Sequence, residues 1–102
     1  MNEIAKRCKK VLKEHYGEQF QGLVLYGSMA RSRGEESSDI DLLVLLHKPF
    51  DYFQELREIT DLLYPVQLRS DRLISAKPAA VDEFEAGSIQ LYRNARSEGL
   101  AL

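Results

Sequence analysis

Asp39 and Asp41 stand two residues apart at the start of an apolar run, and ten residues separate Asp39 from the pair Gly27-Ser28. Residues two apart in a strand project on the same side of a sheet. Both carboxylates would therefore share one face, while Ile40 and Leu42 turn toward a core. Carboxylates held this way repel one another unless a cation lies between them. Hard oxygen donors of this kind suit Mg²⁺, which takes one or two carboxylates and completes its shell with phosphates and water. Gly27-Ser28 supplies the complementary half. A glycine where a strand gives way to a helix lets the backbone approach a ligand closely. The free N–H groups of the following helix then favour an anion such as a triphosphate, and the Ser28 hydroxyl adds a donor. Arg31 and Arg33 follow about a helical turn later, within reach of phosphate charge. A phosphate cradle facing a metal-binding carboxylate pair is nearly sufficient for phosphoryl-type transfer, which depends mainly on positioning and charge stabilisation.

The elements that must hold these groups can be read from the apolar pattern. Glu3–Tyr16 is an amphipathic helix with Ile4, Cys8, Val11, Leu12 and Tyr16 on one stripe and Lys6, Lys9, Lys10 and Lys13 facing away. Gly17 stops it. Leu23–Tyr26 is a short buried strand ended by Gly27-Ser28. Ser28–Arg33 reads as a short helix closed by Gly34, and 34–38 as a loop. Ile40–Leu46, almost wholly apolar, is the central strand of the sheet. Asp51 is placed to N-cap a helix running to about Leu63, with Phe53, Leu56, Ile59, Thr60 and Leu63 facing inward. Pro65 is expected to open a new element, with a strand at Val66–Leu68 that 71–75 extends or flanks. Ala79–Glu85 reads as a helix, and Ser88 as the cap of a last helix, Ile89–Ser97, ended by Gly99. The order αβαβαβα describes an α/β fold, a small mixed β-sheet packed with helices.

Composition bounds what such a chain can be. Its 102 residues fit one compact domain, 1–102. The 14 Lys+Arg against 16 Asp+Glu leave a net charge of -2, too acidic for extended nucleic-acid binding, which needs a basic footprint. A single cysteine, Cys8, excludes an internal disulfide and a cysteine-based zinc cluster. Met1–Lys10 lacks an apolar signal core, and the longest apolar stretch, Leu42–Leu46, is far too short to span a bilayer. No membrane association and a cytoplasmic location are the expectation. His15 and His47 read as surface residues, Cys8 as a small core residue, Tyr92 as packing, and Arg93 and Arg96 as solvated.

The segment GSMARSRGEESSDID, and the wider context LYGSMARSRGEESSDIDLLV, resemble the signature of the DNA polymerase beta nucleotidyltransferase superfamily, in particular its minimal branch. SIQLYRNARSEG is similar, less specifically, to the C-terminal segment of such proteins. The resemblance implies the polymerase beta palm-like fold and Mg²⁺-dependent transfer of a nucleoside monophosphate from an NTP, with ATP the expected donor. Gly27 and Ser28 would hold the phosphates, and Asp39 and Asp41 the metal. It further implies a partner from the same operon, a HEPN-type toxin or another small helical subunit, one of whose tyrosines would accept AMP; a homo-oligomer stays open. Full members of the superfamily carry a third carboxylate on a later strand. On the strand reading above, Gln67 stands at that position, and Asp71 could substitute only in a different register. Two other readings follow: an antitoxin that neutralises its partner by binding alone, and transfer to a small hydroxylated molecule with an accessory subunit.

Overall fold

The computed structural model describes residues 3–27 and 39–102. Its centre is a mixed four-stranded sheet in the order β3-β2-β1-β4, built from β1 (Phe20–Tyr26), β2 (Ile40–Leu46), β3 (Ile74–Ala80) and β4 (Leu100–Ala101). β1 runs antiparallel to both β2 and β4, whereas β2 and β3 are parallel. The mixed α/β architecture expected from the residue pattern is therefore the one observed. The predicted helix at Ser28–Arg33 and loop at 34–38 lie outside the described residues.

Alternation along β2 sorts its side chains into two cores. Leu42, Val44 and Leu46 pack with Leu23, Leu25 and Ile40 against two helices, α1 (Glu3–Tyr16) and α2 (Tyr52–Gln67). Cys8 and Leu12 of α1, and Ile59, Leu63 and Val66 of α2, complete that core and are almost fully buried. Burial pushes the Cys8 thiol up to about 11, as expected of an inert core residue. The Tyr16 hydroxyl donates to Glu55 across 2.9 Å and ties the two helices together. On the opposite face Val24, Leu43, Leu45 and Ala79 pack against Phe84 of α3 (Val81–Ala86) and Tyr92 and Ala95 of α4 (Gln90–Glu98).

Four expectations need correction. Pro65 does not open a new element: α2 runs through it to Gln67, so Val66–Leu68 is not a strand. Ile59, Leu63 and Val66 fall at helical spacing and are all buried, and this packing outweighs the bond lost at a proline close to the helix end. Phe53 (71% exposed) and Thr60 face solvent rather than the core, the Thr60 hydroxyl bonding back to the Leu56 carbonyl. Ala79 and Ala80 belong to β3, and α3 starts only at Val81. The last helix starts at Gln90 with Ile89, not Ser88, at its cap, and Gly99 leads into the short strand β4. Asp51 does cap α2, accepting the Gln54 N–H at 2.9 Å.

Candidate active site

Asp41 pairs with Tyr26 on β1 and with Ser75 on β3, and lies on the face carrying Leu43 and Leu45. Asp39, two residues earlier and exposed, precedes the strand. The apolar face of β2 is thus closed by α3 and α4 at one end and continues into carboxylates at the other. Ile40 and Leu42, turned to the opposite side, are buried at 1% and 0% exposure and hold the strand in register. A shift by one residue would turn Asp41 into the core and Ile40 and Leu42 out of it. Strand alternation therefore dictates the side on which Asp41 points, and the Asp39 charge acts on it from just before the strand.

Gly27 ends β1 directly beside this pair. Its φ of 78° lies in the left-handed region, and a Cβ added there would sit 2.5 Å from Asp41 Oδ2. A side chain there would be strained and would force the Asp41 carboxylate to shift, so glycine lets backbone and carboxylate meet without an intervening group. A cleft of about 150 Å³ opens next to Gly27, lined by Tyr26, Leu91, Asn94, Ala95 and Glu98. Residues Ser28, Arg31 and Arg33 lie outside the described residues.

Charge in this corner is unfavourable without a partner. Burial first, and the Asp39 charge second, raise the Asp41 carboxyl above the ordinary aspartate value, while the Lys77 ammonium pulls it back. Burial, Asp41 and Tyr52 push the Tyr26 phenol up to about 12. A divalent cation would relieve this accumulation of negative charge. The donor set fits one hard ion: two carboxylates two residues apart, Asp41 partly buried and Asp39 exposed, with the Gly27 backbone against Asp41.

The acidic residues beyond this pair are placed differently from the sequence expectation. Gln67 is not on a strand near the site. It ends α2, donates to the Arg72 carbonyl (3.0 Å) and accepts from the Ile74 N–H (2.7 Å), so it shapes the turn into β3. Asp71 lies exposed in that same turn, before the strand begins. Among the described residues no group of three His, Cys, Asp or Glu side chains could hold a metal ion. Neither Gln67 nor Asp71 thus supplies a third group on the sheet face. The misplacement has one cause: reading α2 as ending before Pro65 put β3 eight residues too early. It also concealed Lys77, which a strand beginning at Ile74 brings onto the Asp41 face. Arg93, read as solvated, instead donates to the Gly87 carbonyl at 2.8 Å and ties α4 to the end of α3. Among the described residues no helix is long and apolar enough to cross a membrane.

A mixed sheet with helices on both faces, and an acidic pair facing the glycine at the end of the neighbouring strand, defines the class of nucleotide-transferring palm-like domains. The family model of polymerase beta, nucleotidyltransferase, matches residues 6–97, and the chain belongs to that family. A protein of Methanocaldococcus jannaschii named as a candidate protein adenylyltransferase, MJ0128, is 39% identical over 66 residues, 62% of this chain and 65% of that protein. The chain thus spans slightly less than two thirds of that relative. A second protein so named in the same organism, MJ0604, is 30% identical over 105 residues and covers 100% of this chain and 99% of its own length. A crystal structure of a toxin–antitoxin MntA–HpeT mutant has the same fold, with a TM-score of 0.67 at 22% identity, covering 100% of this chain and 72% of that one.

Proposed function

We propose that this chain is a Mg²⁺-dependent nucleotidyltransferase that moves AMP from ATP onto a hydroxyl of a protein partner. The observation that carries the reading is the contact surface between Gly27 and Asp41. Backbone at a strand end lies against the Asp41 carboxylate, with a positive φ and a spacing that an added Cβ would disturb. Few purely structural roles call for that combination. The names of the M. jannaschii relatives favour a protein as the acceptor.

In this reading Gly27 and Ser28 hold the triphosphate through backbone N–H groups and a hydroxyl, with Arg31 and Arg33 as further phosphate contacts. Asp39 and Asp41 hold the ion. When bound, the ion polarises the α-phosphate and neutralises charge on the departing pyrophosphate. The acceptor oxygen forms a bond to the α-phosphorus, and the bond from that phosphorus to the oxygen bridging the β-phosphate breaks. Pyrophosphate leaves with the electron pair, and the acceptor proton passes to solvent. Tyr26 is a poor base for that proton, since burial and Asp41 both favour its neutral form.

The acceptor we favour is a tyrosine of a HEPN-type toxin encoded beside this chain, which would make the chain the antitoxin of the pair. Its support is the toxin–antitoxin complex that shares the fold. The test is intact-mass analysis after mixing the chain with Mg-ATP and its co-encoded neighbour, with Asp39→Ala in parallel. One or more AMP additions on the neighbour, absent with the variant, are expected. No addition with any NTP, alongside a stable complex that still silences the neighbour, would replace the enzyme reading with an antitoxin that acts by binding. The absence of a third metal-binding acid among the described residues is the observation that favours this second reading.

A further inference from the structure

Lys77 is the one cation that the sheet brings toward the acidic pair among the described residues. In the parallel β2–β3 register Asp41 pairs with Ser75 and Leu43 with Lys77. Paired residues share a face, so Lys77 lies on the same side as Asp41, one diagonal step away. Diagonal neighbours in a sheet are roughly 7–8 Å apart at the backbone, within reach of a long side chain. Lys77 is only partly buried, between the half-exposed Ser75 and the fully covered Ala79. Among the described residues, it stands at the border between the packed half of this face and its acidic half. Its charge is felt at Asp41, where it opposes burial and the Asp39 repulsion.

An ammonium here has two consequences. A second divalent ion on the β3 side of Asp41 would meet a fixed positive charge, which repels it. A nucleoside triphosphate bound to the first ion would still bring surplus negative charge, which a lysine can meet as a point charge. Resting on the nucleotidyltransferase reading above, we propose that Asp39 and Asp41 form a one-metal site, with Lys77 taking the place of a second cation as a phosphate-binding residue. The bland alternative is that Lys77 only balances Asp41 in the free protein.

The two roles separate in binding rather than turnover. Mn²⁺ stoichiometry by electron paramagnetic resonance, with a non-hydrolysable ATP analogue present, should give one ion per chain. Lys77→Asp should admit a second. Lys77→Met should keep the single ion but weaken the analogue by about tenfold or more, the scale of one lost charge-assisted contact, with Lys77→Arg recovering part of it. Circular dichroism melts check that each variant is folded, as a partly exposed edge-strand position should allow. Two ions in the wild type, or unchanged analogue affinity in folded Lys77→Met, would overturn the proposal while leaving the nucleotidyltransferase reading intact. No binding of Mn²⁺ or analogue by the wild type, with or without its co-encoded neighbour, would remove both.

Discussion

The two faces of the sheet are built from the same strands and behave differently. The face under α1 and α2 is apolar along the whole of β2, from Ile40 to Leu46, and two helices of 14 and 16 residues seal it. The face under α3 and α4 is apolar only over Val24, Leu43, Leu45 and Ala79, and its helices have 6 and 9 residues. Among the described residues, the short cover does not extend over Asp39, Asp41, Gly27 and Lys77. One face thus supplies stability, and that surplus tolerates charge repulsion on the other. The lesson is that the site's electrostatic strain is carried by packing that lies across the sheet from it.

If this division is right, variants on the two faces should separate activity from stability. The largest effect expected is on transfer: Asp41→Asn should lower AMP transfer by ~10³-fold or more, read by mass spectrometry, since it removes charge from the proposed metal site. The same variant should melt higher than the metal-free wild type, because it removes a carboxylate that burial and Asp39 disfavour. A lower melting temperature would break the comparison. On the sealed face, Ile59→Ala should cost ~2–5 kcal/mol in urea unfolding, as fully buried side chains do, and reduce transfer only as far as it unfolds the chain.

Smaller effects sharpen the boundary. Gly27→Ala places a methyl group against Asp41 Oδ2 at a positive φ. It should weaken Mn²⁺ binding, followed by titration, by about tenfold or more, with a stability loss on the order of 1 kcal/mol or slightly above. Gln67→Leu removes two hydrogen bonds to the turn before β3. A destabilisation of ~1–3 kcal/mol with little change in Mn²⁺ affinity is expected, and a lost metal site would mean that Gln67 belongs to the open face after all.

The pH response should carry the same signature. The Asp41 pKa is raised in the folded protein, so the folded state binds more protons than the unfolded state between the ordinary aspartate value and the raised one. Its contribution to stability therefore falls as pH rises through that window. Without metal, wild type and Asp41→Asn should draw level toward the acid side and diverge toward neutral pH. Added Mg²⁺ should close the gap at neutral pH, which thermal melts with and without the ion would follow.

Much of this was legible in the residues, and the reasons are local. Alternation in Ile40–Leu46 separates core from candidate site, because a period of two allows no other assignment of Asp41. The stripe Ile4, Cys8, Leu12 and Tyr16 marks α1, and Asp51 marks the start of α2. What escaped was decided by competition between local and distant terms. Pro65 is a local stop signal, yet Val66 lies on the buried stripe of α2, and the helix continues. The tripeptide Leu100-Ala101-Leu102 carries no strand pattern of its own. It joins the sheet because β1 offers a free edge to which Leu100 and Ala101 pair.

The sequence by itself determined the parts of the candidate site: Gly27-Ser28 and Asp39-x-Asp41 are close in the chain, and strand geometry sets the side on which Asp41 points. Only the tertiary structure decided which further residues join them. β3 reaches β2 through a helix and a turn, so its register depends on where α2 ends, and that depends on burial against the sheet. Placing Ser75 and Lys77 beside Asp41, and leaving Gln67 and Asp71 in the turn, is a consequence of packing between segments more than 30 residues apart, which no local spacing encodes.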